Sequence, residues 1–262
     1  MSAITSKTIL FITGAFVSHH CCNEWVAFFQ EKGYSTHAIP WLYKDAPAQV
    51  LRARHPDNEV ASIRLPQLVN HYEKLALSLP EKPIIIGHSI GGLVAQLLLQ
   101  RGVAAAAVAI HSVPPQGIFT FKLSFLIAGW GPLGFFTNAN KTFMISFNQW
   151  KYAFTNGLPS AIQKDGYELA IPESKRIVRD TITGAAKIDF KKAHQPLLFL
   201  AGSADHSIPA SLNFSNYKKY TDKNSVTDYK LFEGRTHFVL NQPGWEENAG
   251  YILDWLKKHL KA

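Results

Sequence analysis

A chain of 262 residues can bury one substantial core, so a single domain, or a core carrying an inserted piece, is the first expectation. With 47% hydrophobic and 18% charged residues it is too apolar for a disordered chain, and no apolar run approaches the roughly eighteen residues that a membrane span requires. The net charge of +8 is carried by scattered pairs such as Lys191-Lys192, Lys218-Lys219 and Lys257-Lys258. Basic and aromatic residues are not interleaved as in a single-strand binder, so solvated helix faces are expected rather than a nucleic-acid or membrane surface. Cys21 and Cys22 are adjacent, a spacing at which a bridge would be strained. With no signal-peptide core visible, a cytoplasmic location is the expectation; self-association is not legible.

In chain order, short β-branched and apolar runs alternate with segments of helical period, the pattern of βαβ units around a mostly parallel sheet. Strands are expected at Thr8 to Ile12, Ser35 to Ile39, Pro83 to Ile86, Ala105 to Ile110, Pro196 to Ala201 and Val226 to Phe232. Helices are expected at Asn23 to Lys32, Glu59 to Leu79, Ile90 to Arg101, Ala210 to Tyr220 and Trp245 to Leu260. The alternation fails between about Pro115 and His194, where Phe119, Phe121, Phe125, Trp130, Phe135, Phe136, Phe143, Phe147, Trp150, Tyr152 and Phe154 crowd together. A structureless connection of that length is rare in compact domains. The expected division is therefore a core of residues 1–114 and 195–262 carrying a helical cap of residues 115–194.

The run "KPIIIGHSIGGLVAQLLLQRG" reads as a buried strand, a sharp turn centred on Ser89, and an amphipathic helix. At such a turn the central residue takes strained backbone angles, and its neighbours two positions away, Gly87 and Gly91, must lack side chains. The turn lifts the Ser89 hydroxyl clear of the sheet and aims the Ile90 N–H at the site where an attacked carbonyl oxygen would turn negative. A serine needs a base, and the base needs an orienting group. Asp205 in "PLLFLAGSADHSIP" and His237 in "VTDYKLFEGRTHFVL" each follow an expected strand, at the carboxyl ends where ligand-facing residues of open α/β sheets collect. His206 shares its turn with Asp205, which makes it the weaker candidate for the base; His88 and His111 read as packing against the scaffold.

These three motifs, in the order Ser, Asp, His, resemble those of the α/β-hydrolase superfamily over essentially the whole chain. The resemblance implies an α/β-hydrolase fold with an inserted helical cap, Ser89 as nucleophile, Asp205 as carboxylate and His237 as general base and acid. It also maps a second oxyanion donor, after the first strand's glycine, onto the Ala15 N–H, to act beside Ile90. Thr13 stands where that family often has histidine. The implied activity is hydrolysis of a carboxylic ester or lactone of small to medium apolar character, without cofactor or metal. The "TGAF…W" opening is also similar to plant methylesterases and hydroxynitrile lyases, which leaves a C–C lyase as one alternative; a non-catalytic ligand binder of the same fold is another.

"VSHHCCNEW" gathers the residue types zinc prefers, yet four consecutive residues cannot converge on one ion without contorting the backbone. The segment is expected instead to cross the mouth of the site, with His19 and His20 as a polar wall and Cys21 and Cys22 packed as small apolar residues. Phe16, His88 and the cap residue Trp150 are further candidates for the substrate pocket.

Overall fold

A computed structural model describes Ile4 and residues 6–134 and 136–259; Phe135 and Leu260 lie outside the described residues. The strands are β1 (Thr8–Ile12), β2 (Ser35–Ala38), β3 (Ile84–His88), β4 (Ala106–Ile110), β5 (Thr142–Phe143), β6 (Glu173–Ser174), β7 (Leu197–Gly202) and β8 (Thr227–Phe232). Six of them form one sheet in the order β2-β1-β3-β4-β7-β8, with every neighbouring pair parallel. β1, β3, β4 and β7 are buried at every residue, which is why they read as unbroken apolar runs rather than as alternating ones. The edge strands β2 and β8 are largely half-buried.

The helices are α1 (Asn23–Glu31), α2 (Ala48–Ala53), α3 (Asn58–Ser62), α4 (Leu65–Ser78), α5 (Ile90–Gln100), α6 (Leu123–Leu133), α7 (Phe147–Ala153), α8 (Ser160–Glu168), α9 (Lys175–Asp180), α10 (Ala210–Tyr217) and α11 (Trp245–His259). No helix among the described residues is long and apolar enough to cross a membrane. The single helix expected over Glu59 to Leu79 is two. Pro66 lacks an N–H and would collide with the carbonyl four residues back, so the chain extends at Ile63 and restarts at Leu65. The restart is capped by Gln67, whose Oε1 accepts the Arg64 N–H at 2.9 Å, and by Asp180, whose Oδ2 accepts the Leu65 N–H at 3.0 Å.

α5 packs on β3 and β4, α10 on β7 and β8, and α1 on β2 and α11. Among the described residues the chain between β4 and β7 contributes no strand to the main sheet; it holds α6 to α9 and the two-residue antiparallel pair β5–β6. The sheet's order reverses between β1 and β3, and in open α/β sheets the crevice at the carboxyl ends of such strands is where ligands bind. The turns after these two strands carry Ala15 and Ser89.

Candidate active site

β3 passes into α5 through Ser89, which sits at φ 57° and ψ −118°, a conformation an L-residue holds only when its surroundings enforce it. The enforcement is visible at the flanking glycines. A Cβ at Gly87 would stand 2.0 Å from the Gly91 carbonyl oxygen, and one at Gly91 would stand 2.0 Å from that of Ile12. The Ser89 N–H donates to the Ile110 carbonyl at 3.0 Å, tying the turn to β4.

β7 delivers Asp205 and β8 delivers His237 to the same place. His237 Nε2 lies 3.0 Å from Ser89 Oγ, and His237 Nδ1 lies 2.7 Å from Asp205 Oδ2. The other carboxylate oxygen, Oδ1, accepts the Ile208 N–H at 2.8 Å, so the acid is fixed by its own loop. Ser89, Asp205 and His237 are each buried. His206, the competing base, instead places Nδ1 3.0 Å from the Tyr152 carbonyl.

Two histidines that the sequence left to the scaffold complete the cluster. His111, at the end of β4 with φ 45°, places Nδ1 2.8 Å from Asp205 Oδ2, so one carboxylate oxygen serves two imidazoles. His88 Nε2 lies 3.0 Å from the His237 carbonyl and braces the backbone of that loop. Burial pushes the pKa of both imidazoles down, His88 furthest, with His237 and His111 adding to the effect on His88. Both are therefore neutral, with His111 donating through Nδ1–H and His88 through Nε2–H. Burial alone would push the Asp205 carboxyl up, but the adjoining His237 and His111 hold it well below the usual carboxylate range. It is ionised, and both imidazoles donate to it.

The turn after β1 approaches Ser89 closely. A Cβ at Gly14 would lie 2.6 Å from Ser89 Cβ. Phe16 follows at φ 65°, and its N–H donates to Glu173 Oε2 at 3.2 Å. Glu173 also pairs with Lys44; both side chains are almost wholly buried, and Lys44 Nζ stands 4.1 Å from the centroid of the Trp41 ring. Neither Glu173 nor Lys44 carries a sequence signal, because Glu173 meets the turn from 157 residues away and Lys44 meets Glu173 from 129. His111 could have been foreseen: it ends the strand beside the one that carries the acid.

Above Ser89 lies a cavity of about 160 Å³. Ala15, Phe16, Ser89, Ile90 and His237 form its floor, with Val113 and Ile208 beside them; Phe125, Ala128, Gly129, Pro132 and Leu133 of α6 line it, as do Ile145 and Phe154. Of the residues expected to wall it, Phe16 does so. Trp150 does not: it is fully buried one layer behind, stacked on Phe154 at 4.4 Å between ring centroids. His19, His20 and His88 do not line it either. His19–Cys22 form a short 3₁₀ turn whose geometry sends Cys21 and Cys22 inward and leaves His20 exposed. Cys21 faces His88, Phe154 and His237 from behind, so the segment backs the site rather than crossing its mouth. Among the described residues the metal-ligating types converge only at His111, Asp205 and His237, and not in the His-His-Cys-Cys segment.

Comparison with known proteins agrees with this architecture. No curated protein matches the chain in sequence. Tomato methylketone synthase I in complex with 2-tridecanone superposes with a TM-score of 0.70 at 16% identity, covering 97% of this chain and 99% of that one. A monoacylglycerol lipase from Paleococcus ferrophilus gives 0.66 at 16% identity, covering 97% and 96%, and an Arabidopsis methylesterase gives 0.65 at 14%, covering 95% and 98%. At such identities these likenesses show the fold. The profile described as "Alpha/beta hydrolase family" matches residues 10–246, nearly the full length. The chain belongs to the alpha/beta hydrolase family.

Proposed function

We propose that the protein is a carboxylic ester hydrolase that acts on a small to medium apolar ester or lactone through an acyl-enzyme on Ser89, with residues 115–194 as its cap. The observation that carries this reading is the unbroken chain from Ser89 Oγ through His237 to Asp205, at 3.0 and 2.7 Å, beneath a predominantly apolar cavity. His237 Nε2 takes the serine proton as Oγ attacks the carbonyl carbon, and the imidazolium so formed is stabilised by ionised Asp205. His237 then returns the proton to the leaving alcohol. Water, deprotonated by the same imidazole, releases the acid and restores the serine.

The negative oxygen of the tetrahedral intermediate falls to the Ala15 and Ile90 N–H groups. Both residues line the cavity, and among the described residues neither N–H has a protein acceptor. Ile90 also opens α5, so the positive end of that helix adds to the field. One such donor contributes about 10²–10³ in rate. The lyase alternative calls for a cation in the pocket, and among the described residues no lysine or arginine lines this one.

The test is reaction of the intact chain with an organophosphonate serine probe, followed by peptide mapping, beside turnover of chromogenic esters of increasing acyl length. A single adduct on Ser89, absent in Ser89→Ala, together with ester turnover is expected. Folded protein that takes no adduct would transfer the case to the non-catalytic binder, and cyanohydrin cleavage without ester turnover would transfer it to the lyase.

A further inference from the structure

α6 carries two apolar faces, and the cavity accounts for only one. Phe125, Ala128, Gly129 and Pro132, spaced i, i+3, i+4 and i+7, turn toward the cavity. Half a turn away, Leu123, Leu126, Ile127 and Trp130 are 70, 46, 49 and 68% exposed. Phe119 and Phe121 on the approach and Phe136 beyond the helix are 70, 83 and 91% exposed. The helix has no charged residue and none that is buried. A water-facing helix ordinarily shows a polar outer face, and a contiguous apolar surface of this kind marks an interaction site.

The charges around this surface select the partner. From Lys82 to Lys164 the sequence contains no aspartate or glutamate. Exposed Lys122 stands at the start of α6 and exposed Lys141 beyond its end. Under that end Arg179 Nε donates to the Leu133 carbonyl at 2.8 Å, and Lys175 Nζ to Thr137 Oγ1 at 2.8 Å. Among the described residues, none of Lys122, Lys141, Lys175 and Arg179 has an acidic partner within salt-bridge distance. A second copy laid face to face would oppose these cations to one another. A bilayer surface with anionic headgroups satisfies both the apolar face and its basic ends.

We infer that the outer face of α6, together with Phe119, Phe121 and Phe136, docks on an anionic phospholipid surface. The helix is about 16 Å long, half the thickness of a hydrocarbon core, so it lies in the interface rather than spanning it. It then stands between lipid and cavity, apolar on both sides. This docking uses none of Ser89, Asp205 and His237, so it stands or falls apart from the ester-hydrolase reading.

Trp130 is a built-in probe. Trp25, Trp41, Trp150 and Trp255 are buried and Trp245 is half-buried, whereas Trp130 is 68% exposed. The full chain, with Ser89→Ala to exclude turnover, is mixed with vesicles of phosphatidylcholine with or without phosphatidylglycerol, and sedimentation and tryptophan emission are followed. Binding to the anionic vesicles is expected, with a blue shift, quenching by brominated acyl chains, and weakening as salt is raised. Ile127→Asp with Trp130→Asp should lower partitioning about a hundredfold by sedimentation, each lost apolar side chain being worth about tenfold. The same pair in the Ser89-intact chain should leave turnover of a water-soluble short ester unchanged. The inference is overturned if the anionic vesicles do not shift Trp130 emission, if the double variant binds as well as its parent, if neutral vesicles bind equally, or if Trp130 is covered by self-association without lipid.

Discussion

His111→Leu tests the two-imidazole carboxylate directly. The substitution keeps an apolar body of similar length but removes the Nδ1–H that lies 2.8 Å from Asp205 Oδ2. Both partners are fully buried, so no water replaces the lost donor. A hydrogen bond to a charged group contributes about 1.5–3 kcal/mol, which for a domain of this size lowers Tm by about 3–12 °C. The electronic effect is separate from the stability effect. With one donor gone, the carboxylate leans harder on His237, whose imidazolium is better stabilised, so the acid limb of kcat/KM moves to higher pH. His111→Asn is the matched control: its amide nitrogen reaches the position of Nδ1, and asparagine accepts the φ of 45° found there. It should restore both readouts. Thermal unfolding and a pH–rate profile on a chromogenic ester decide the matter. A His111→Leu protein with the parent's Tm and acid limb would show that the 2.8 Å contact does no work, and the assignment of donor and acceptor would be refuted.

Three further predictions follow from the same geometry. Glu173→Gln leaves the Lys44 ammonium buried without its counter-charge, so stability should fall by about 3–5 kcal/mol by urea denaturation, and adding Lys44→Met should recover a large part of it; an unchanged midpoint in the single variant would remove the pair from the account. Gly14→Ala places a Cβ 2.6 Å from Ser89 Cβ, so kcat should drop by about two orders of magnitude while circular dichroism stays native; activity within twofold of the parent would mean that the turn yields. His88 and His111 are buried neutral with pKa values below 6.5, whereas in the unfolded chain they titrate near 6.5. Below that pH the unfolded state binds more protons, so stability should decline as pH falls, and the depressed Asp205 carboxyl adds a further loss below about 3.9. Urea midpoints from pH 7.5 to 4 should trace this slope, with His111→Asn flattening it near 6; a level profile down to pH 5 would contradict neutral buried imidazoles.

The positions of Ser89, Asp205 and His237 were legible because each is announced locally, by a strand ending in a turn, and because the order of the three is informative. The six strands of the main sheet lie within a residue or two of the expected spans, the four central ones because burial on both faces writes itself as an apolar run; the two-residue pair β5–β6 is too short to leave such a run. What lies between distant segments left no trace. The Glu173–Lys44 pair joins residues 129 positions apart, and nothing near either residue announces the other. The His-His-Cys-Cys segment is adjacent in sequence to the β1 turn but not to the cavity in space, because the 3₁₀ turn redirects it behind the site. The aromatic density of residues 115–154 says nothing of which way each ring faces. Trp150, Phe143 and Phe154 pack inward, whereas Phe119, Phe121, Trp130 and Phe136 do not, and composition alone is blind to that difference.

The way residues 115–194 are fastened gives the cavity one stiff wall and one compliant one. The later half is riveted: Glu173 to Lys44 and to the Phe16 N–H, Asp180 to Arg64 at 2.5 and 2.7 Å, Ser174 Oγ to the Ala61 and Ile63 carbonyls, and Arg52 to the Ala170 carbonyl. Lifting that half as a unit would break a buried ion pair, at about 3–5 kcal/mol. α6 has no buried residue, and its ties run through the Arg179 guanidinium to carbonyls at its C-terminal end. On the ester-hydrolase reading proposed above, a guest larger than this cavity would therefore load α6 first, and selection by size would grade with the work of bending one helix outward rather than end at a fixed carbon number.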